Sequence, residues 1–213
     1  MGILPTTIPQ QAESPLITFS FTDVAEGTGI QTFFLANTKE DTTTSYLLTG
    51  NEIYSNDQIE TVSLAIDTSS FTKFGDFDFD TSVLNLPRNI RGTLSSNLFW
   101  SIQKATGFVC QGYIILKLRK WDGTTETEVT SVQSETVTST QAGVEQISAV
   151  QVLVSDTHFK KGDTIRLTVE VWAKNTDPSN QGTIKFGNDP QNRIDDISEG
   201  SKSTVYMPFR IDS

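Results

Sequence analysis

Three aspartates alternate with two phenylalanines in Asp76-Phe77-Asp78-Phe79-Asp80, a spacing that places all three carboxylates on one face of a β-strand. Like charges so arranged repel, which invites either a calcium ion or a solvated exterior. Calcium takes about six to eight oxygens, and a strand without help from loops spreads its carboxylates too far apart to supply them. The reading preferred is therefore a solvated exterior, with calcium at Asp76, Asp78 and Asp80 left open, as it is at Asp195 and Asp196. No feature singles out a pair of carboxylates suited to glycoside hydrolysis.

Nucleophilic catalysis of the Ser-His-Asp or Cys-His kind needs a base beside the nucleophile, and His158 is the one histidine of the chain. It stands in Asp156-Thr157-His158-Phe159-Lys160, ahead of a Lys161-Gly162-Asp163 turn and without a nucleophile-elbow pattern. That context predicts a loop histidine near a strand end. Zinc is poorly served, because one His and one Cys (Cys110) do not make the usual ligand set. The sequence thus carries the expectation of a protein that is not an enzyme and has no cofactor.

Two further places stand out. Gly187-Asn188-Asp189-Pro190-Gln191-Asn192-Arg193-Ile194-Asp195-Asp196 predicts a defined turn, which Arg193 would lock by hydrogen bonds to Asp189 or Asp195. A contact with a neighbouring subunit is the other reading of this loop. Trp172 alternates out of phase with Ile165, Leu167, Val169 and Val171, on a face with Thr168, Glu170 and Lys174. An indole on a solvent-facing strand suits an interface between subunits, and cover by the chain's own 124–141 hairpin is the alternative.

The elements that would position these residues read as strands. Ile17, Phe19 and Phe21 alternate with Thr18, Ser20 and Thr22, and Val205, Met207, Phe209 and Ile211 repeat the period at the C-terminus. Other strands are expected at 30–36, 45–49, 61–66, 74–83, 109–120, 129–138, 147–154, 164–173 and 183–186. Asp122-Gly123 predicts a tight hairpin after the strand ending at Lys120. The polar run 124–141 suits an exposed hairpin or edge strand. No window shows helical periodicity. The architecture expected is all-β, a jelly-roll-like β-sandwich over residues 16–213. The runner-up is two smaller β-domains divided near 121–142.

Residues 1–15 hold Pro5, Pro9 and Pro15 and predict an extended arm, with Ile3, Leu4 and Ile8 free to order on a partner. Met1-Gly2-Ile3-Leu4-Pro5-Thr6 also fits the N-myristoylation pattern, but a docking arm explains the same residues. With 26 acidic against 16 basic side chains and a net charge of -10, a sequence-independent grip on nucleic acid is not expected. No run nears the roughly 18 apolar residues of a membrane helix, and no secretory signal is visible. The expectation is a chain with neither nucleic acid nor membrane as partner.

The segment 159–172, with its Lys161-Gly162-Asp163 turn entering a long alternating strand, resembles the C-terminal half of jelly-roll virion proteins of tailed and marine double-stranded DNA viruses. So do Gly187 to Arg193 and the closing Val205-Tyr206-Met207-Pro208-Phe209-Arg210-Ile211. The turn is similar to one in trimeric jelly rolls of the tumour necrosis factor and C1q type. The resemblance implies a structural protein of the virion that decorates or cements a capsid, acting as a homotrimer and binding the major capsid or another virion protein. The contact residues expected are Ile3, Leu4, Ile8, Trp172, Asp189 and Arg193. The competing expectation is a receptor- or glycan-binding module of a tail or fibre, with Trp100, Trp121 or Trp172 stacking on sugars.

Overall fold

The structure, a computed structural model, describes residues 17–18, 28–39, 45–50, 62–66, 68–103, 109–139, 144–176, 182–186 and 203–210. These form thirteen strands: β1 (Ile17–Thr18), β2 (Thr28–Lys39), β3 (Tyr46–Thr49), β4 (Val62–Ile66), β5 (Thr72–Asp80), β6 (Arg88–Gln103), β7 (Cys110–Trp121), β8 (Glu126–Gln133), β9 (Val137–Ser139), β10 (Val144–Phe159), β11 (Thr164–Asn175), β12 (Gly182–Phe186) and β13 (Thr204–Arg210). No helix occurs among the described residues. The arm residues Ile3, Leu4 and Ile8, and Asp189, Arg193, Asp195 and Asp196, lie outside the described residues.

Hydrogen bonding runs in the order β4-β12-β6-β13-β2-β3-β5-β11-β7-β8, with β10 on β6, β1 on β2 and β9 on β7. Every junction is antiparallel except β3 with β5, where Tyr46 pairs with Phe79 and Leu47 with Asp80. This ladder curls into an all-β sandwich. One layer is β10-β6-β13-β2, the other is β5-β11-β7-β8, and β3 forms the seam between them. Period-two alternation builds the core: Ile165, Leu167, Val169 and Val171 of β11 and Ile114, Leu116 and Leu118 of β7 are buried on one inner face. Leu94, Leu98, Trp100 and Ile102 of β6 supply the other. Gly112 of β7 makes room for this packing, since a Cβ there would lie 3.1 Å from each of Trp100, Ile102 and Ile184. The buried Trp100 indole donates to Ser148 Oγ at 2.8 Å, so its polar edge is satisfied.

β6, a sixteen-residue strand, is not among the strands expected from periodicity, although Ile90, Leu94, Leu98, Trp100 and Ile102 keep one face of it buried. Gly92 and Ser96 occupy the same parity and interrupt the apolar signal. Gly92 has φ +123° and is the bend in the strand; both neighbours change register beside it. On the β13 side the irregularity falls around Pro208, where the missing N–H is tolerated in an interior strand. The Asp122-Gly123 hairpin forms with Gly123 at φ +94°, but Trp121 pairs with Glu126, so its loop holds four residues instead of the two expected of a tight turn. Asp122 Oδ1 accepts from the backbone N–H of Thr124 and Thr125 at 2.9 and 2.7 Å, which holds its carboxyl below the ordinary range.

Candidate functional site

The outward face of β5-β11-β7-β8 gathers most of the chemistry among the described residues. Register places Asp80, Arg166 and Arg119 side by side, then Asp78, Thr168 and Lys117, then Asp76 and Glu170. Arg166 is the hub. Its Nε and Nη2 donate to the two oxygens of Asp80 at 2.7 Å each, and Nη1 donates to Glu126 at 2.7 Å. Glu126 also accepts from Arg119. The guanidinium lies 4.8 Å from the Trp121 ring centroid, and the Asp80 bonds hold it still more firmly protonated.

The three aspartates therefore share an outward face; Asp76 is solvated as expected, and the solvated exterior is corrected at Asp80, with Asp78 half-buried. Asp80 is buried and paired with Arg166, Asp78 accepts from Thr168 Oγ1 at 2.5 Å, and Asp76 pairs with Lys73 at 2.5 Å. Burial pushes the Asp78 carboxyl up against the opposing pull of Thr168 and Arg166. Neutralisation comes from basic side chains on the same face, a partner that spacing along one strand does not display. No group of three or more metal-ligating side chains is assembled among the described residues.

A second cluster centres on Glu170, a buried carboxylate 2.9 Å from Lys117 Nζ and 3.4 Å from Lys73 Nζ. Burial alone would raise its pKa. The Trp172 indole N–H, donating at 2.9 Å, and the two ammoniums outweigh that and hold the carboxyl below its ordinary value. Trp172 stacks near-parallel to Tyr113, with ring centroids 6.1 Å apart and planes at 12°; Tyr113 in turn meets Phe71 at 4.9 Å. Lys174 Nζ lies 4.6 Å from the Phe71 centroid. All three rings are half-buried, so a row of aromatic surface crosses β11 and β7. The hairpin does not cover Trp172: β8 and β9 pair with β7 and extend the sheet in its own plane. Of the other tryptophans, Trp100 is fully buried and unable to stack on a sugar, and Trp121 carries Arg166 on its ring.

His158 lies at the end of β10, within the strand and not in a loop, opposite Asn89 of β6. Its Nδ1 is 2.7 Å from Asn89 Oδ1. Cys110 is buried at the start of β7. The Lys161-Gly162-Asp163 turn forms as read, with Gly162 at φ +99° and Asp163 Oδ2 accepting from Lys160 N–H at 2.7 Å.

No family model and no curated protein sequence matches the chain. Among solved structures, an α-amino acid ester hydrolase superposes with TM-score 0.58 at 12% identity over 84% of this chain. An aminopeptidase from the marine sediment archaeon Thaumarchaeota archaeon does so with TM-score 0.54 at 9% identity over 86%. The shared feature is the fold. The likeness takes in 36% and 37% of those two longer chains. Viral capsid chains also occur among the matches: infectious bursal disease virus at TM-score 0.30, 10% identity, 87% of this chain and 57% of that one, and a pentameric capsid protein from metagenomic phage sequences at 0.14, 15%, 87% and 80%. The expectation that the chain is not an enzyme is overturned to this extent: its fold is one that hydrolase chains contain.

Proposed function

We propose that the chain is a structural protein of a virion, a β-sandwich that associates with copies of itself and with a capsid through the outward face of β5-β11-β7-β8. The observation that carries this reading is the half-exposed row Phe71, Tyr113 and Trp172. Aromatic side chains of this kind are enriched where proteins meet, because they bury large apolar area at low entropic cost. With its indole N–H already satisfied by Glu170, Trp172 can be buried against a partner without leaving a donor unpaired. The surrounding ion pairs supply a polar rim. A homotrimer, further contacts from Ile3, Leu4, Ile8, Asp189 and Arg193, and location in the virion belong to the same proposal, which the sequence resemblance over 159–172 also supports.

Sedimentation of the full chain tests it. Assembly above 23.5 kDa is expected, and Trp172→Ala should lower the assembled mass with the β circular-dichroism spectrum intact. A native mass of one chain, or assembly indifferent to Trp172→Ala and Tyr113→Ala together, overturns it. Retained mass with glycan binding lost in the same variants would select a sugar-stacking role for the row.

The likeness to hydrolase chains favours a second reading, a β-sandwich unit of a larger hydrolase. Turnover of α-amino acid esters that co-purifies with the chain at constant specific activity would select it over the first.

A further inference from the structure

We propose that the cleft at one end of the sandwich, with Gln31 inside it and Arg88 at its mouth, binds a small molecule made of an apolar body and a single carboxylate. The cleft opens where β3 joins the two layers and has a volume of about 320 Å³. That is at the small end of ligand sites, which run from about 300 Å³ upward. Its walls include Phe33 of β2, Leu48 of β3, Ile165 of β11 and Phe209 of β13, all buried. Phe33 and Phe209 sit 6.2 Å apart with planes tilted by 50°, so the apolar end is partly aromatic.

Two polar groups in this lining point to what the ligand carries. Gln31 shares the inward parity of Phe33 and Leu35 and is 6% exposed, yet its carboxamide has no hydrogen-bond partner among the described residues. Ser101 Oγ and not this amide is the fully buried side-chain polar atom left without a partner among the described residues, so the Gln31 amide faces the open cleft and can bond to a molecule that enters it. Thr81 differs, because its hydroxyl already accepts from the Ile165 N–H at 3.1 Å. Arg88 is exposed at the rim with its guanidinium 5.4 Å from the Phe209 centroid. Unlike Arg119, Arg166 and Arg210, it forms no ion pair among the described residues.

Two lysines stand close to the same end of the molecule, in a turn that also carries Asp163. Gly162 N–H donates to Leu84 O, and Leu84 N–H to Asp163 O, each at 2.9 Å, which ties the turn bearing Lys160 and Lys161 to the cleft wall at Leu84. An unpaired guanidinium is the natural receptor for a carboxylate, and an apolar body would lie against the phenylalanines below it.

The probe pair 3-phenylpropionate and 3-phenylpropanamide separates charge from shape. Titration of the full ¹⁵N-labelled chain should show saturable binding of the acid, with the Gln31 side-chain amide and Arg88 Nε resonances shifting together. The acid should bind about tenfold tighter than the amide. Arg88→Gln should erase that preference while leaving amide binding in place, and Gln31→Leu should weaken both. Absence of saturable binding, equal affinity of the two probes for the unmodified chain, or a preference that survives Arg88→Gln overturns the proposal. An unchanged backbone spectrum in Arg88→Gln confirms that the variant is folded.

Discussion

Replacing Arg166 with Met removes the hub of the outward face while keeping much of its apolar stem. The Arg166 and Asp80 side chains are only 13% and 9% exposed and are joined by two hydrogen bonds of 2.7 Å. Deleting the guanidinium strands the Asp80 carboxylate in a site with little water. Breaking a buried pair from one side costs about 3–5 kcal/mol, and residual solvent contact at both groups places this one near the lower end, at about 3 kcal/mol. For a chain of this length 1 kcal/mol corresponds to about 2–4 °C, so the melting temperature should fall by about 6–12 °C. Removing both charges in Asp80→Leu with Arg166→Met should recover most of the loss, to within about 1 kcal/mol of the unmodified chain. Urea unfolding of the four chains of this cycle gives the coupling energy directly, expected at about 2 kcal/mol plus the cost of Asp80→Leu alone. A loss below about 1 kcal/mol in Arg166→Met, or no coupling to Asp80, would refute the reasoning and return the aspartate face to a solvated exterior.

Glu170 gives a pH test. Its folded pKa lies below the ordinary 4.5, so its stabilisation is fully present above that value and is lost as pH falls through the folded pKa. Glu170→Gln should therefore cost about 1–3 kcal/mol near neutrality, with the gap to the unmodified chain closing below about pH 4.5; a gap constant from pH 7 to pH 3 would contradict the assignment. Gly112→Val should destabilise by about 1–3 kcal/mol through overpacking against Trp100, Ile102 and Ile184, read as a lower denaturant midpoint, whereas unchanged stability would mean that the two layers can part there at little cost.

Local pattern carried a large part of the architecture. In β11 and β13 the alternation of apolar and polar residues is unbroken for long enough to name both the strand and its inward face, because a strand's side chains point to opposite sides with period two. The Lys161-Gly162-Asp163 and Asp122-Gly123 turns were legible for the same local reason, since glycine reaches positive φ without steric cost. β6 carries no clear alternating signal because its inward positions include Gly92 and Ser96, whose suitability depends on what packs opposite them and not on their own hydrophobicity.

What the tertiary structure alone decided is which distant residues meet. Sequence placed Asp76, Asp78 and Asp80 on one face, but Arg166, the partner that pairs with Asp80, arrives from 86 positions away through strand register. Alternation alone makes Trp172 an outward indole, whereas Tyr113 becomes its stacking partner only because β7 lies beside β11. The cleft is more extreme, since Gln31, Leu48, Arg88, Ile165 and Phe209 come from five strands. Hydrophobic periodicity is a property of neighbouring positions and survives in one dimension; charge pairing, ring stacking and cavity shape depend on distances of a few ångströms between elements, which only the closed sandwich defines.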